Sequence, residues 1–151
     1  MKSRSEAWAY CDSSALIKRY IAETGRPAVL RLMEGRQIVS SAVLSLELQS
    51  AIGRRVREGT LATVDQPRIL ERISDESRRW TLISLAEAAS AAEALLEHGD
   101  LRTLDAIHVA SAQIFAARSG ADMIFVTADA RQARIAASAG LAVRSLETPA
   151  R

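Results

Sequence analysis

Aromatic residues, cysteine and long apolar runs are all scarce in this chain. Aromatic side chains make up 4% of the 151 residues, so the core must be built from aliphatic and alanine side chains. The single cysteine, Cys11, excludes an internal disulfide and is consistent with a reducing compartment. No apolar run approaches the ~18 residues of a membrane span, and the N-terminus lacks the apolar stretch of a signal peptide. We therefore expect a soluble, cytoplasmic protein with no membrane partner.

Lysine is also scarce, since only Lys2 and Lys18 accompany the many arginines among the 20 basic residues. Arginine suits bidentate contacts with phosphate better than lysine does, although a bias in genome composition would give the same preference. The formal net charge is +2, so the charge balance permits a nucleic-acid partner without requiring one. An apolar content of 48% with 25% charged residues indicates a folded domain rather than a disordered chain.

Short apolar runs alternate with longer segments of helical periodicity along the chain. We predict strands at 7–11, 37–40, 80–84 and 122–127, with a weak fifth strand at 141–143. Single strands separated by helices indicate an α/β fold: a central parallel sheet of four to five strands flanked by helices on both faces. We expect one domain over residues 7–146, a frayed N-terminal extension at 1–6 and a short C-terminal tail at 147–151.

Three carboxylates follow predicted strands at the end where parallel sheets bind ligands. Asp12 comes directly after the first strand, and Asp129 comes two residues after the fourth strand ends at Thr127. Glu47 is expected in the second turn of the helix after the second strand, with Ser41 as the cap of that helix. The three side chains should therefore reach the same edge of the sheet from separate parts of the chain.

A fourth carboxylate, Asp105, lies early in a predicted helix and has mostly apolar neighbours at helical spacing. Glu47 has similar neighbours, so neither residue lies on an obviously solvated helix face. Asp12 and Asp129 also fit an ordinary role as helix N-caps, which leaves two interpretations open for each of them. Capping does not explain Glu47 and Asp105, because charged residues are rarely placed on apolar faces without a partner.

Four carboxylates at one sheet edge would repel one another. Two like charges ~4 Å apart repel by about 4 kcal/mol at an effective dielectric constant near 20. A divalent cation removes this repulsion, and oxygen ligands select Mg²⁺ or Mn²⁺ over Zn²⁺. Such an ion can activate water for attack on phosphorus and stabilise the leaving oxygen. The composition of this edge therefore predicts phosphodiester hydrolysis.

Other chemistries fit the sequence less well. The chain has no glycine-rich phosphate loop, and Cys11 lacks an evident base partner. His98 and His108 could cleave RNA without a metal, but His98 adjoins a helix-ending glycine and His108 fits a hydrogen-bonded core histidine. An aspartyl phosphate on Asp12 remains open, weakened because Ser14 stands where a haloacid-dehalogenase-type phosphatase has a second acidic residue.

The segments that contain these carboxylates resemble a known family in their order along the chain. They are Tyr10-Cys11-Asp12-Ser13-Ser14-Ala15-Leu16, the stretch from Ser41 to Glu47, Leu101-Arg102-Thr103-Leu104-Asp105-Ala106-Ile107-His108-Val109-Ala110, and Phe125-Val126-Thr127-Ala128-Asp129. Together they resemble PIN-domain ribonucleases and, within that family, the VapC-type toxins of bacterial toxin–antitoxin pairs.

The resemblance implies an acidic metal site in which Asp12 and Asp105 are the most direct ligands and Ser13 and Thr127 give support. Its four carboxylates would be Asp12, Glu47, Asp105 and Asp129. The family also implies Mg²⁺-dependent cleavage of structured RNA, and an all-oxygen ligand set would also accept Mn²⁺ as a substitute. Further implied are a homodimer and a cognate antitoxin whose C-terminal segment blocks the site. The competing interpretation is a PIN-like module that binds RNA or protein without catalysis.

Three arginines are candidates for contacts with RNA phosphates around the acidic site. Arg54 lies two helical turns after Glu47, while Arg102 precedes Asp105 by three residues. Arg131 follows the remaining carboxylate, at position 129, by two residues. Each arginine also fits an ordinary solvated surface position, and this alternative stays open.

Overall fold

The computed structural model describes residues 7–146, and these residues form a five-stranded parallel sheet with helices packed against it. The strands are β1 (Trp8–Cys11), β2 (Gln37–Ser41), β3 (Thr81–Ile83), β4 (Met123–Thr127) and β5 (Val143–Ser145). Their order in the sheet is β3-β2-β1-β4-β5, and every neighbouring pair is parallel. The predicted α/β fold is confirmed. The predicted extension at 1–6 and tail at 147–151 lie outside the described residues.

Seven α-helices and one short 3₁₀ turn connect the strands within the described part of the chain. The helices are α1 (Ser13–Tyr20), α2 (Arg26–Met33), α3 (Leu44–Arg57), α4 (Gln66–Ser77), α5 (Leu85–His98), α6 (Thr103–Ser119) and α7 (Ala130–Ser138). The 3₁₀ turn, Thr63–Asp65, leads directly into α4. Between residues 7 and 146, no helix has both the length and the apolar character needed to cross a bilayer.

Alternating side chains of the strands pack on opposite faces of the sheet, as the two-residue period of a strand requires. Ala9 and Cys11 of β1 belong to a cluster with Leu16 of α1 and residues of α2, α3 and α4. Tyr10, between them in the sequence, packs in a second cluster with Val109 of α6 and residues of β4 and α7. The sheet is therefore covered by helices on both faces, as predicted.

Strands β1, β3 and β4 are slightly shorter than the predicted 7–11, 80–84 and 122–127, and two further boundaries differ in position. Ser41 is the last residue of β2, where it pairs with Ile83, and its hydroxyl accepts a hydrogen bond from the Val43 backbone N–H. Because the strand continues through Ser41, helix α3 begins only at Leu44, and Glu47 lies in its first turn rather than its second. Strand β5 is displaced towards the C-terminus of the predicted 141–143, since Val143 pairs with Phe125 of β4.

Candidate acidic site at the carboxyl edge of the sheet

Asp12 lies immediately after β1 and both of its carboxylate oxygens accept hydrogen bonds. Oδ1 accepts from the Ala15 backbone N–H at 3.0 Å and from the Ser14 hydroxyl at 2.7 Å, while Oδ2 accepts from the Thr127 hydroxyl. Asp12 therefore is the N-cap of α1 and is buried. Burial raises the pKa of Asp12, although electrostatic attraction to His108 and these hydrogen bonds oppose the rise.

The end of β4 is joined to the start of α1 by the hydroxyls of Thr127 and Ser14. The Thr127 hydroxyl accepts from the Asp129 backbone N–H at 3.1 Å, and the Ser14 hydroxyl accepts from the Ala128 backbone N–H at 2.9 Å. These bonds fix the position of Asp12 relative to β4. From the sequence, a supporting role is predicted for Thr127 but not for Ser14. Ser14 is compared there only with the second acidic residue of haloacid-dehalogenase-type phosphatases.

Glu47 extends from the first turn of α3 and is held by two other helices. Its Oε2 accepts from the Ser13 hydroxyl of α1 at 3.1 Å, and its Oε1 lies 2.6 Å from His108 Nε2 of α6. His108 is 2% exposed, and its Nδ1 lies 2.8 Å from the hydroxyl of Tyr10. His108 is thus a buried, hydrogen-bonded histidine, as predicted, but one that contacts a candidate site carboxylate.

Asp105, in the first turn of α6, is the least satisfied of the four carboxylates. Its Oδ2 is shielded from solvent and has no hydrogen-bond partner among the described residues. Burial raises the pKa of Asp105, the negative charge of Asp129 raises it further, and Arg102 and Arg131 lower it. This carboxylate therefore lies close to a second negative charge without a donor for one of its oxygens.

Asp129 is the N-cap of α7, and its Oδ1 accepts from the backbone N–H groups of Arg131 at 2.8 Å and Gln132 at 3.2 Å. The buried Gln132 side chain donates to the Asp105 backbone carbonyl at 3.4 Å. The start of α7 is thereby connected to the start of α6. The predicted caps at Asp12 and Asp129 are both formed, and a cap leaves carboxylate oxygen lone pairs available for other partners.

The four carboxylates belong to one continuous set of contacts at the carboxyl edge of the sheet. Over residues 7–146, however, no three Asp, Glu, His or Cys side chains are close enough together to hold one metal ion. The donor chemistry still fits a divalent cation, because it consists of oxygens and includes the unpaired Asp105 Oδ2. The raised pKa of Asp105, which has burial and the negative charge of Asp129 as its causes, fits the same cation.

The three candidate arginines occupy different environments. Arg54 is exposed, and its side chain makes no hydrogen bond or ion pair within the described residues. Arg102 is exposed and precedes α6 as its N-cap residue. Arg131 is partly buried, donates to the backbone carbonyl of Asp100, and lies 3.7 Å from the carboxylate of that residue. Arg54 is thus the freest of the three to meet a ligand.

Two alternative sites find no support in the geometry. His98 is the exposed last residue of α5, whereas His108 is buried and bonded on both ring nitrogens. Cys11 is fully buried, and burial strongly raises the pKa of its thiol, so it is packing rather than a nucleophile.

The sheet and its flanking helices define an α/β domain with acidic side chains at the carboxyl ends of the strands. A family model described as the PIN domain matches residues 9–138. Because this match covers most of the chain, the protein belongs to the PIN domain family. A comparison with curated protein sequences gave no match.

The fold is shared with solved structures at low sequence identity, and two of them are described. The first is a toxin–antitoxin complex from Klebsiella pneumoniae, with a TM-score of 0.55 and 15% identity over 82% of this chain and 88% of that chain. The second is VapBC2 from Rickettsia felis bound to a DNA fragment from their promoter. Its TM-score is 0.59, with 12% identity over 91% of this chain and 97% of that chain. At such identities the likeness establishes the fold alone.

Proposed function

We propose that this protein is a Mg²⁺-dependent endoribonuclease that acts as the toxin of a toxin–antitoxin pair. The observation that carries the proposal is the unpaired, shielded Oδ2 of Asp105, close to the negative charge of Asp129. An anionic group of this kind is stable in a protein when a cation completes its environment. Membership of the PIN domain family and the acidic edge of the sheet support the same activity.

Asp12 and Asp105 would hold the cation most directly, with Glu47 and Asp129 beside them. When bound, Mg²⁺ would supply Lewis-acid stabilisation of the phosphate and a water of lowered pKa. The protein itself orients the carboxylates. Ser14 and Thr127 fix Asp12 through donated hydroxyl hydrogens, and Ser13 restrains Glu47.

The arginines would bind the phosphates that flank the scissile bond. Arg54 has a free guanidinium on the same helix as Glu47, so it can reach RNA on the α3 side. Arg102 and Arg131 act electrostatically on Asp105, which supports a role for them in binding phosphate beside that carboxylate. Bidentate arginine contacts suit phosphate groups.

We also propose a cognate antitoxin and a homodimer as partners. One structural neighbour is a toxin–antitoxin complex, and the other is VapBC2 bound to promoter DNA. An antitoxin segment that covers the carboxyl edge of the sheet would block access to Asp105. Co-expression of the neighbouring open reading frame, followed by co-purification and a cleavage assay, tests this partnership; independent elution and unchanged cleavage would contradict it.

The catalytic proposal is tested by cleavage of total RNA with purified protein in Mg²⁺ and in excess EDTA. Water attack on phosphorus with loss of the 3′ oxygen should leave 5′-phosphate and 3′-hydroxyl ends, and EDTA should stop the reaction. Activity that persists in EDTA, or products with 2′,3′-cyclic phosphates, would contradict the metal-dependent mechanism. Sequencing RNA ends after brief expression of wild type beside Asp105→Asn would identify the target RNA.

A non-catalytic binding module is the second candidate. One observation favours it, because the acidic and histidine side chains of residues 7–146 do not form a group of three that could hold a metal as they stand. RNA binding that is independent of Mg²⁺, together with no cleavage of any RNA tested, would support this alternative.

A further inference from the structure

A buried chain of hydrogen bonds runs from β1 through α6 to the acidic edge of the sheet. Tyr10 is fully buried, and its hydroxyl bonds to His108 Nδ1; His108 Nε2 bonds in turn to Glu47 Oε1. The Tyr10 and His108 rings also meet edge to face, with centroids 5.9 Å apart. The imidazole is therefore restrained at both nitrogens and by its contact with the Tyr10 ring.

We propose that His108, oriented by Tyr10, is a positioning residue that holds the Glu47 carboxylate in place for cation binding. This inference rests on the proposed function, and it assigns His108 a role beyond packing in the core. A carboxylate only accepts hydrogen bonds, so His108 Nε2 is the donor in this pair. On the other side of the ring, Nδ1 shares a 2.8 Å hydrogen bond with the Tyr10 hydroxyl, in which either atom can be the donor.

Glu47 depends on such restraint more than the three aspartates do. Its side chain is longer, and it begins in a helix turn whose N-cap residue, Val43, gives no side-chain hydrogen bond. The two restraints come from different helices, with Ser13 of α1 on Oε2 and His108 of α6 on Oε1. Opposed donors of this kind fix both the position and the rotation of a carboxylate group.

His108 lies in a buried stretch of α6. The residues that follow it, Val109 and Ala110, are fully buried and apolar. A buried imidazole is stable only with partners for its polar atoms, and Tyr10 and Glu47 are those partners. In proteins that bind metals, residues that orient the ligands typically change metal affinity about 10–100-fold when they are mutated.

The decisive experiment compares His108→Gln with His108→Leu by titration with Mn²⁺ as the probe ion. The glutamine amide nitrogen can occupy the place of Nε2 and donate to Glu47, whereas leucine fills a similar volume and donates nothing. We expect His108→Leu to weaken Mn²⁺ binding about 10–100-fold and His108→Gln to stay within about threefold of wild type. In RNA cleavage, His108→Leu should lower kcat with little change in the KM for RNA.

Two controls separate positioning from loss of stability. Val109→Ala removes buried volume from the adjacent residue and should lower the melting temperature while leaving Mn²⁺ affinity unchanged. The double variant Tyr10→Phe/His108→Leu removes the hydroxyl whose bond to Nδ1 is lost in His108→Leu, so it keeps the comparison available if the single variant does not fold.

Equal Mn²⁺ affinity in wild type and His108→Leu, or in its double variant, would overturn the inference while leaving the proposed function intact. A loss in His108→Gln as large as that in His108→Leu would also overturn it, since the donor would then be irrelevant. Wild-type protein that binds no Mn²⁺ would overturn the proposed function itself and this inference with it. Rescue by glutamine alone supports the positioning role.

Discussion

Asp12 and Asp105 are acidic residues at the same sheet edge, but their surroundings are opposite. Asp12 accepts hydrogen bonds on both oxygens from the Ser14 and Thr127 hydroxyls and a backbone N–H. Asp105 has one oxygen shielded from solvent without any donor among the described residues and lies near the charge of Asp129. The Asp12 carboxylate is therefore held by hydrogen bonds, whereas the Asp105 carboxylate lacks a hydrogen-bond donor on one oxygen and is repelled by the charge of Asp129.

This contrast indicates two different roles. Asp12 stabilises the structure of the site, whereas Asp105 is suited to binding a cation. Networks in which every polar atom has a partner are rigid, so the Asp12 side of the edge can act as a fixed reference. An unpaired buried oxygen destabilises the folded state, and such features tend to occur where a ligand or reaction requires them. Variants on the two sides should therefore affect stability and activity in different proportions.

The largest effect on activity is expected from Asp105→Asn. The amide preserves the shape of the side chain but removes its charge, so cleavage should fall by about 10³-fold or more, the scale of a lost catalytic group. Stability in the absence of metal should be unchanged or slightly higher, because a charge without a donor has been removed. RNA cleavage and thermal unfolding of the same preparation measure the two quantities. An Asp105→Asn protein with normal activity would return Asp105 to the role of an ordinary helix residue.

In contrast to Asp105→Asn, Thr127→Val should mainly lower the stability of the fold rather than the cleavage activity. The substitution preserves the shape of Thr127 but removes the donor to Asp12 Oδ2 and the acceptor of the Asp129 N–H. Leaving buried polar groups unpaired costs about 1–3 kcal/mol, which denaturant unfolding can measure. Thr127→Ser keeps the hydroxyl and serves as the matched control. Equal stabilities of the valine and serine variants would show that the hydroxyl does not hold Asp12.

Lowering the pH should reduce the difference in melting temperature between Asp105→Asn and the wild type. The folded pKa of Asp105 lies above its unfolded value, so the charged form is disfavoured in the folded state and protonation stabilises the fold. Without metal, the melting temperature of Asp105→Asn should exceed that of wild type most at neutral pH. The excess should shrink as pH falls through the raised folded pKa and vanish below the unfolded value near about 4. A constant difference across this range would contradict the assigned cause.

The sequence alone predicted the parts of this edge that depend on local chemistry. Strand runs and helix breaks indicate a parallel sheet, and Asp12 and Asp129 are predicted as possible caps because they come within two residues of strand ends. The boundary at Ser41 was wrong because pairing with β3, which is remote in sequence, extends β2 by one residue. The preference of a residue for a helix cap depends on its sequence neighbours, so it does not reflect pairing with a remote strand.

The interactions that distinguish one carboxylate from another could not be predicted in the same way. Tyr10 and His108 are 98 residues apart, and their hydrogen bond exists only because α6 packs on the face of the sheet that carries the Tyr10 side chain. Ser14 likewise meets the end of β4 through tertiary structure. Whether an oxygen such as Asp105 Oδ2 has a donor depends on every element around it. Sequence patterns therefore indicate Asp105 as a site residue but not that its Oδ2 lacks a hydrogen-bond donor.

The smallest effect is expected at Arg54, which tests how far RNA binding extends from the carboxylates. Since Arg54 is exposed and free of partners within residues 7–146, Arg54→Ala should change stability by no more than about 0.5 kcal/mol. If its guanidinium meets one phosphate, the KM for RNA should rise a few-fold and the slope of log affinity against log salt should fall by about 0.7–1. Arg54→Lys keeps the charge and should retain most of that slope. An unchanged slope in Arg54→Ala would assign this arginine to the solvated surface and confine recognition to the edge formed by Asp12 and Asp105.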